Sequence, residues 1–162
     1  MNQDQLDCYL AGAFDGEGCV SIHLFNYRKQ ETLQLRLQLS VSMCDPEAVQ
    51  AFYSRFGGLH SDNLKTYTGR IQYRWRVINS KAIPALSVFS KWCRVKKRVI
   101  DLALPVAYSM LGNKDKNKLS EEEKTMRWTA MEEIGKINGR GKHRVRLSDF
   151  PLNKEAYFGS IQ

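Results

Sequence analysis

The sequence lacks the cysteine spacing of a metal-binding or disulfide-rich domain. Its four cysteines, Cys8, Cys19, Cys44 and Cys93, are far apart, and no two of them form a C-x-x-C pair. This spacing argues against a zinc site and a disulfide framework and predicts reduced, mostly packed thiols in a reducing compartment. A run of apolar residues long enough to cross a bilayer is also missing, so we expect no membrane contact. The N-terminus has neither a signal-peptide nor a transit-peptide pattern, and we expect the protein to act where it is made.

Acidic residues are missing from a long central stretch of the chain. No Asp or Glu lies between Asn63 and Ile100, although ten lysines and arginines do. A second acid-free basic run, KINGRGKHRVR, spans residues 136–146. Over the whole chain, 25 Lys and Arg against 17 Asp and Glu give a net charge of +8. This segregation predicts an electropositive face that binds a polyanion, with nucleic acid as the favoured class of partner.

The chain length of 162 residues fits one domain, residues 1–162, with a basic C-terminal segment at 137–162. Apolar spacing of 3.6 residues and capping residues predict five helices. They cover Asp4 to Asp15 with Asp4 as N-cap, Pro46 to Phe56 between Asp45 and Gly57, Ser80 to Trp92, Val95 to Met110 with a bend or an end near Pro105, and a last helix from the capping box of Ser120 and Glu123 to about Lys136.

Between these helices the apolar pattern changes to a period of two, which is typical of strands. CVSIHLF at 19–25 and TLQLRLQLSVSM at 32–43 predict one hairpin across the polar segment NYRKQE. LHSDNLKTY at 59–67 and RIQYRWRVI at 70–78 predict a second hairpin. The order of helix, hairpin, helix, hairpin and three helices indicates an α+β fold with a four-stranded antiparallel sheet.

One face of the predicted sheet is polar, and its side chains are of few types. This set is His23, Gln34, Arg36, Gln38, Arg70, Gln72, Arg74 and Arg76. Arg pairs with guanine and Gln with adenine in the major groove, so the set favours DNA reading over simple solvation. RNA-binding sheets stack bases on outward aromatics, whereas Tyr73 and Trp75 belong to the inward set here. RNA is therefore the less favoured partner.

The stretch LAGAFDGEG, residues 10–18, places two carboxylates behind an apolar helix. A glycine C-cap would explain Gly16 or Gly18, but Gly12 inside the helix costs about 1 kcal/mol relative to Ala. Small residues on one helix face let a second helix approach closely. With the helix and hairpin order and the basic RVKKR near residue 96, the chain resembles the LAGLIDADG homing endonucleases of the single-motif, intron-encoded type, over nearly its whole length.

The resemblance implies a homodimeric, Mg²⁺-dependent endonuclease that makes a double-strand break in a long pseudo-palindromic DNA site. Glu17 corresponds to the metal ligand, with the carbonyl of Gly16 beside it, and Lys96 corresponds to the active-site lysine. Lys97 is the rival for that role and otherwise contacts DNA. Mn²⁺ is expected to replace Mg²⁺, and Ca²⁺ to support binding without cleavage. The expected subunit interface comprises Ala11, Gly12, Asp15 and Gly16, in which Asp15 has a structural role.

Several alternatives stay open at the level of sequence. Asp45 either caps a helix or orders active-site water, and His60 is either a DNA contact or a solvated loop residue. The same fold could serve an RNA maturase, with intron RNA as partner, or a DNA-binding protein that does not cleave. Relatives of this type reside in chloroplasts, mitochondria or prokaryotes, and we expect one of these locations.

Overall fold

A computed structural model describes residues 2–25, 34–65, 69–112, 119–139 and 157–158. The predicted order of elements and the antiparallel sheet are confirmed. The elements are α1 (Gln3–Glu17), β1 (Gly18–Phe25), β2 (Gln34–Met43), α2 (Pro46–Phe56), β3 (Leu59–Lys65), β4 (Ile71–Ile78), a short 3-10 helix (Asn79–Ala82), α3 (Ile83–Trp92), α4 (Lys97–Ser109) and α5 (Glu121–Ile137). Within these residues, no helix is both long and apolar enough to cross a membrane. The segment NYRKQE and most of 137–162 lie outside the described residues.

Helix boundaries follow local capping signals, with one predicted cap corrected. Asn2 caps α1 and accepts a hydrogen bond from the backbone N–H of Gln5 at 2.9 Å. The predicted cap, Asp4, is wrong: it lies in the first turn, where a negative charge favours the helix N-terminus. Of the two alternatives predicted at Pro105, a bend or an end, the end is excluded, because α4 continues through this exposed proline to Ser109. Its buried face holds the helix together there despite the missing N–H.

The sheet has the strand order β1-β2-β4-β3, and every neighbouring pair is antiparallel. Its inner face packs under the helices, where the rings of Phe52 and Trp75 stack at 5.2 Å. Of the predicted inward set on β4, Trp75 and Val77 are buried, while Tyr73 is half-buried and Ile71 is 47% exposed. The reason is register: the pairing of β4 with β2 stops at Tyr73, so Ile71 lies beyond it.

The junction between α1 and β1 has no loop. Glu17 is the last residue of the helix and Gly18 is the first of the strand. A Cβ atom at Gly18 would overlap the carbonyl oxygen and the ring of Phe14, so only glycine fits there without a shift. This close approach fixes Glu17 at the point where the helix meets one end of the sheet.

Candidate active site and nucleic-acid interface

The C-terminus of α1 carries two carboxylates and no compensating base. Asp15 and Glu17 both lie in its last turn, which contains no Lys, Arg or His. The unpaired carbonyl groups at a helix C-terminus carry partial negative charge, so acids there are unfavourable. Each carboxylate therefore needs a separate physical reason.

Asp15 is explained by bonds within the chain. Its carboxylate accepts hydrogen bonds from the backbone N–H groups of Arg94 (2.7 Å), Val95 (2.9 Å) and Lys96 (2.8 Å). Burial alone would raise the pKa of Asp15, but these three N–H groups and the charge of Lys96 hold the pKa below its usual value. Asp15 thus joins the end of α1 to the turn before α4, which is the structural role predicted for it.

The side chain of Lys96 also contacts the C-terminus of α1. Its Nζ contacts the carbonyl oxygen of Asp15 and lies 3.4 Å from that of Gly16. Lys97 points elsewhere, because its Nζ lies 2.5 Å from Asp101 Oδ1. Of the two rival lysines, the geometry therefore brings Lys96, and not Lys97, to the end of α1 beside Glu17.

The side chain of Ala11 packs inside the subunit and is not accessible to a second chain. Its side chain is fully buried in the core. Its carbonyl oxygen lies 3.3 Å from Cys93 Sγ, and burial together with the charge of Asp15 raises the pKa of that thiol to about 12. Ala11 therefore packs on the α3 side of α1, which departs from the interface position expected for its side chain.

Gly12 and Gly16 lie on the opposite, open face of α1. Both are exposed, and a Cβ atom built on either one meets no atom of the described chain within 4 Å. Exposed Cys8 and half-exposed Tyr9 precede them on this face. Nothing in the described part of the chain requires glycine at position 12 or 16.

Glu17 is exposed beside Lys96 and makes no ion pair with any residue that the structure describes. The oxygen donors at this point are its carboxylate and the nearby carbonyl of Gly16, and a hard cation such as Mg²⁺ prefers oxygen ligands. The described residues hold no group of three or more His, Cys, Asp or Glu that could bind a metal by themselves. The donor atoms of the described residues fit Mg²⁺ in chemical type but are too few to bind it alone.

The outer face of the sheet is arranged in rows across the strands. Ser42, Arg74 and Ser61 form the row nearest the end of α1, and Ser40 pairs with Arg76 in the next. Farther rows pair Gln38 with Ile78, and His23 with Arg36. None of the outward side chains described on these strands is a carboxylate. The described side chains of this face are thus mainly polar and cationic, as the sequence predicts.

Individual residues of this face differ in what they contact. Arg74 donates a hydrogen bond from Nε to Ser42 Oγ at 2.9 Å, which directs its guanidinium toward the row end near α1. Burial lowers the pKa of His23, and the charge of Arg36 lowers it further, so this histidine is neutral at pH 7. Gln34 and Gln72 are half-buried on the same face, and Arg70 is exposed just before β4.

Two residues left open by the sequence receive definite places. Asp45 accepts hydrogen bonds from the backbone N–H groups of Glu47 (2.9 Å) and Ala48 (3.3 Å), so the capping interpretation is confirmed. His60 pairs with inward Trp75 and its ring lies 6.3 Å from that of Tyr53, so it is on the helix side of the sheet and not on the cationic face.

Sequence reasoning missed two outward residues, Leu59 and Ile78. Leu59 is 56% exposed beside Arg76, and Ile78 is partly exposed beside Gln38. Alternation along β4 assigns Ile78 to the same face as Arg74 and Arg76. Because its side chain is apolar, it does not belong to the polar set that predicts base recognition.

Comparison with protein-family models gives no match, and a sequence search of curated proteins gives none either. Solved structures with the same fold are numerous. The homing endonuclease I-CvuI in complex with its target matches with a TM-score of 0.73 and 18% identity over 98% of both chains. The archaeal intron-encoded homing endonuclease I-Vdi141I complexed with DNA matches with a TM-score of 0.72 and 18% identity, over 98% of this chain and 100% of that chain.

A longer protein also matches. The LAGLIDADG homing endonuclease I-GzeII in complex with its DNA target has a TM-score of 0.57 and 21% identity over 90% of this chain, but over only 48% of that chain. At these identities the likeness concerns the fold. The arrangement of helices on a four-stranded antiparallel sheet is the one that these proteins share.

Proposed function

We propose that this chain, which has the LAGLIDADG homing endonuclease fold, is a site-specific DNA endonuclease that acts as a homodimer. The observation that carries the proposal is at the end of α1, where exposed Glu17 and the side chain of Lys96 lie together beside the cationic sheet face. An acid at a helix C-terminus is unfavourable for folding, and among the residues that the structure describes Glu17, unlike Asp15, makes no bond that offsets this. A role in chemistry explains its presence.

Glu17 and the carbonyl of Gly16 would hold a divalent cation, with Mg²⁺ proposed as the physiological ion. When bound, the cation supplies charge stabilisation at the phosphodiester. Mn²⁺ is proposed as a substitute, and Ca²⁺ as an ion that supports binding without cleavage. The choice of Mg²⁺ rests on donor chemistry, because the available ligands are hard oxygens, with DNA phosphate oxygens and a second Glu17 completing the set.

Lys96 would stabilise the negative charge that develops on the phosphate during cleavage. Its ammonium group contacts the carbonyl oxygen of Asp15 at the end of α1, and its backbone N–H donates to the Asp15 carboxylate. A cation fixed in this way is positioned before the reaction, so little reorganisation is needed during the chemical step. Lys97 is bound to Asp101 on the surface of α4 and is proposed only as a contact to the DNA backbone.

The homodimer is proposed because one chain supplies one acid, whereas cutting two strands requires two. The open face of α1 at Gly12 and Gly16 would let the same helix of a second copy approach closely. This pairing would bring two Glu17 side chains to the symmetry axis. The partial coverage of I-GzeII also fits, because 48% of that chain leaves room for a second domain of the same size.

The sheet face would read the target. Arg36 and Arg76 can each form bidentate hydrogen bonds with guanine, and Gln34, Gln38 and Gln72 can do so with adenine. None of the outward side chains that the structure describes on β1, β2 and β4 is a carboxylate, so these strands add no repulsion from the phosphates. A two-fold dimer would carry two such faces, so the proposed target is long and pseudo-palindromic.

A cleavage assay tests the proposal. The target is first selected from a randomised duplex library by binding in Ca²⁺, and the selected duplex is then incubated in a plasmid with Mg²⁺ or with EDTA. A double-strand break that needs Mg²⁺ supports the endonuclease. Selective binding without cleavage in Mg²⁺ or Mn²⁺ would support a non-cleaving DNA-binding protein, and preference for intron RNA over duplex DNA would support a maturase.

A further inference from the structure

The polar outer face of the sheet contains an apolar side chain in a defined position. Ile78 pairs directly with Gln38 across β2 and β4. The neighbouring pair, Leu39 and Val77, is fully buried on the inner face, so alternation places Gln38 and Ile78 outward. Ile78 is only partly buried, and it does not belong to the hydrophobic core that the described residues form.

Hydrogen bonding among the described residues does not account for Gln38 in this pair. The Gln38 side chain makes no hydrogen bond to any residue in the described part of the chain, in contrast to Arg74, which is bound to Ser42. Directly opposite residues of an antiparallel pair have Cβ atoms about 4.5–5.5 Å apart. An amide and a branched apolar group are therefore presented side by side to whatever covers this face.

An A·T base pair displays the complementary groups on one edge. In the major groove, adenine offers N7 as an acceptor and N6 as a donor, which a glutamine amide binds bidentately, and thymine offers its C5-methyl group to apolar contact. We propose that Gln38 and Ile78 together recognise one A·T base pair in each half-site. Gln38 binds the adenine, and Ile78 covers the thymine methyl group. This inference rests on the proposed binding of duplex DNA.

The neighbouring row has different chemistry, which makes the assignment specific. It pairs Arg76 with exposed Leu59, and an arginine in this position suits guanine. Arg76 cannot substitute for the glutamine at adenine, because a guanidinium has donors only. The two rows therefore discriminate between different base pairs, and Leu59 provides a matched apolar residue outside the proposed contact.

The experiment removes single methyl groups from the DNA. Thymines of the library-selected duplex are replaced one at a time by deoxyuridine, and binding is measured in Ca²⁺ for the wild type, Ile78→Ala, Gln38→Ala and Leu59→Ala. We expect one thymine in each half-site whose replacement weakens wild-type binding about fourfold, as one buried methyl group should. The same replacement should not change the affinity of Ile78→Ala for the duplex. It should weaken binding by Leu59→Ala as much as binding by the wild type.

Gln38→Ala tests the other half of the pair. It should lose the preference for adenine at that same base pair, by roughly 5- to 150-fold, and keep the deoxyuridine effect. Ile78→Val, which removes one methyl group from the protein, should give an intermediate effect and guards against misfolding of the alanine variant. A deoxyuridine effect that is unchanged in Ile78→Ala and Ile78→Val overturns the inference, as does a selected site without such a thymine. Failure of the wild type to bind duplex DNA would overturn the proposed function as well.

Discussion

Asp15 and Lys96 are bound to each other in both directions. The carboxylate of Asp15 accepts a hydrogen bond from the backbone N–H of Lys96 at 2.8 Å, and the side chain of Lys96 returns to the backbone carbonyl oxygen of Asp15. The two bonds connect residues 81 positions apart and join the end of α1 to the start of α4. The two bonds hold the end of α1, which carries Glu17 two positions after Asp15, against the start of α4.

Glu17→Gln should abolish cleavage and leave target binding intact. The substitution keeps the size and hydrogen-bonding capacity of the side chain but removes the charge proposed to hold the metal ion. We expect nicking and double-strand cleavage in Mg²⁺ to fall by several orders of magnitude. Affinity in Ca²⁺ should hold or improve, because two carboxylates no longer face the phosphates. Cleavage and binding are measured on one duplex at one salt concentration.

Asp15→Asn is the control for this comparison. Its carboxylate accepts three backbone N–H groups, so the variant should lose thermal stability before it loses chemistry. Cleavage by Glu17→Gln at a rate near that of the wild type would place the active site elsewhere.

Lys96→Met should reduce cleavage by roughly 10²–10³-fold, the usual effect of removing one preorganised group that stabilises developing charge. Lys97→Met is the matched control. It is the next residue in the chain, but its ammonium group is paired with Asp101 at 2.5 Å and points away from the end of α1. We expect its rate constant for cleavage to stay within a few-fold of the wild type in single-turnover assays. Equal losses in the two variants would contradict the assignment of Lys96.

Gly12→Leu should separate the subunits and abolish double-strand cleavage. Gly135→Leu is its control, because Gly135 is also an exposed helical glycine with open space around its Cβ position, in α5. In a chain that acts alone, both substitutions would favour the helix, since glycine is a poor helix former. Only the interface variant should become monomeric in light scattering. A monomeric Gly12→Leu protein with full activity would defeat the dimer proposal.

Asp7 should make stability depend on pH. This buried carboxylate forms a bidentate pair with Arg55, with Nε–Oδ1 at 2.7 Å and Nη2–Oδ2 at 3.0 Å, and the hydrogen bond from Arg55 is the main reason that its pKa is lowered. A lowered folded-state pKa contributes stability above the unfolded pKa of about 3.9, and this contribution is lost as pH falls through the folded value.

Asp7→Asn should therefore reduce the free energy of unfolding by about 1.5–3 kcal/mol at pH 7, and the difference from wild type should shrink below pH 4. Urea titrations at pH 7, 5 and 3 measure it. Asp101→Asn is the control, because its pair with Lys97 is about half exposed and should contribute less than about 1 kcal/mol. A pH-independent difference for Asp7→Asn would exclude this explanation.

Arg76→Ala and Lys91→Ala should weaken DNA binding in different ways. Arg76 lies on the sheet face, so its loss should relax base preference at one position of each half-site by about 1–3 kcal/mol. Lys91 is exposed near the end of α3, and its loss should weaken all sequences alike and reduce the salt dependence of binding. Library selection with each variant distinguishes the two effects. Identical site preferences for wild type and Arg76→Ala would mean that this residue does not read bases.

Much of the fold could be predicted because its signals are local. The alternation along β2 separates Leu37 and Leu39 from Arg36 and Gln38, and the structure buries the first pair and leaves the second on the polar face. Caps at Asp45 and Ser120 are likewise recognisable from a few neighbouring residues. Signals that depend on chain positions close together are available to sequence reasoning.

The contacts of the site were less accessible because they join distant parts of the chain. The bonds from Asp15 to the turn at 94–96 determine which lysine reaches α1, and no spacing rule distinguishes Lys96 from Lys97. Tertiary contacts also distinguish the glycines of residues 10–18. Gly18 is required by its contact with Phe14, whereas no described contact requires Gly12. Two glycines of the same sequence motif therefore differ in whether the fold of the chain requires them.

The strand order has a consequence for how the chain folds. Each hairpin, β1 with β2 and β3 with β4, joins neighbouring stretches of sequence, but the seam between β2 and β4 pairs residues that are 30 to 40 positions apart. Closing such a loop costs conformational entropy before its contacts form. We therefore expect the hairpins to form early and the seam at Val41 and Trp75 to form late. Until the seam forms, the two halves of the cationic sheet face, β1 with β2 and β3 with β4, are separate two-stranded hairpins.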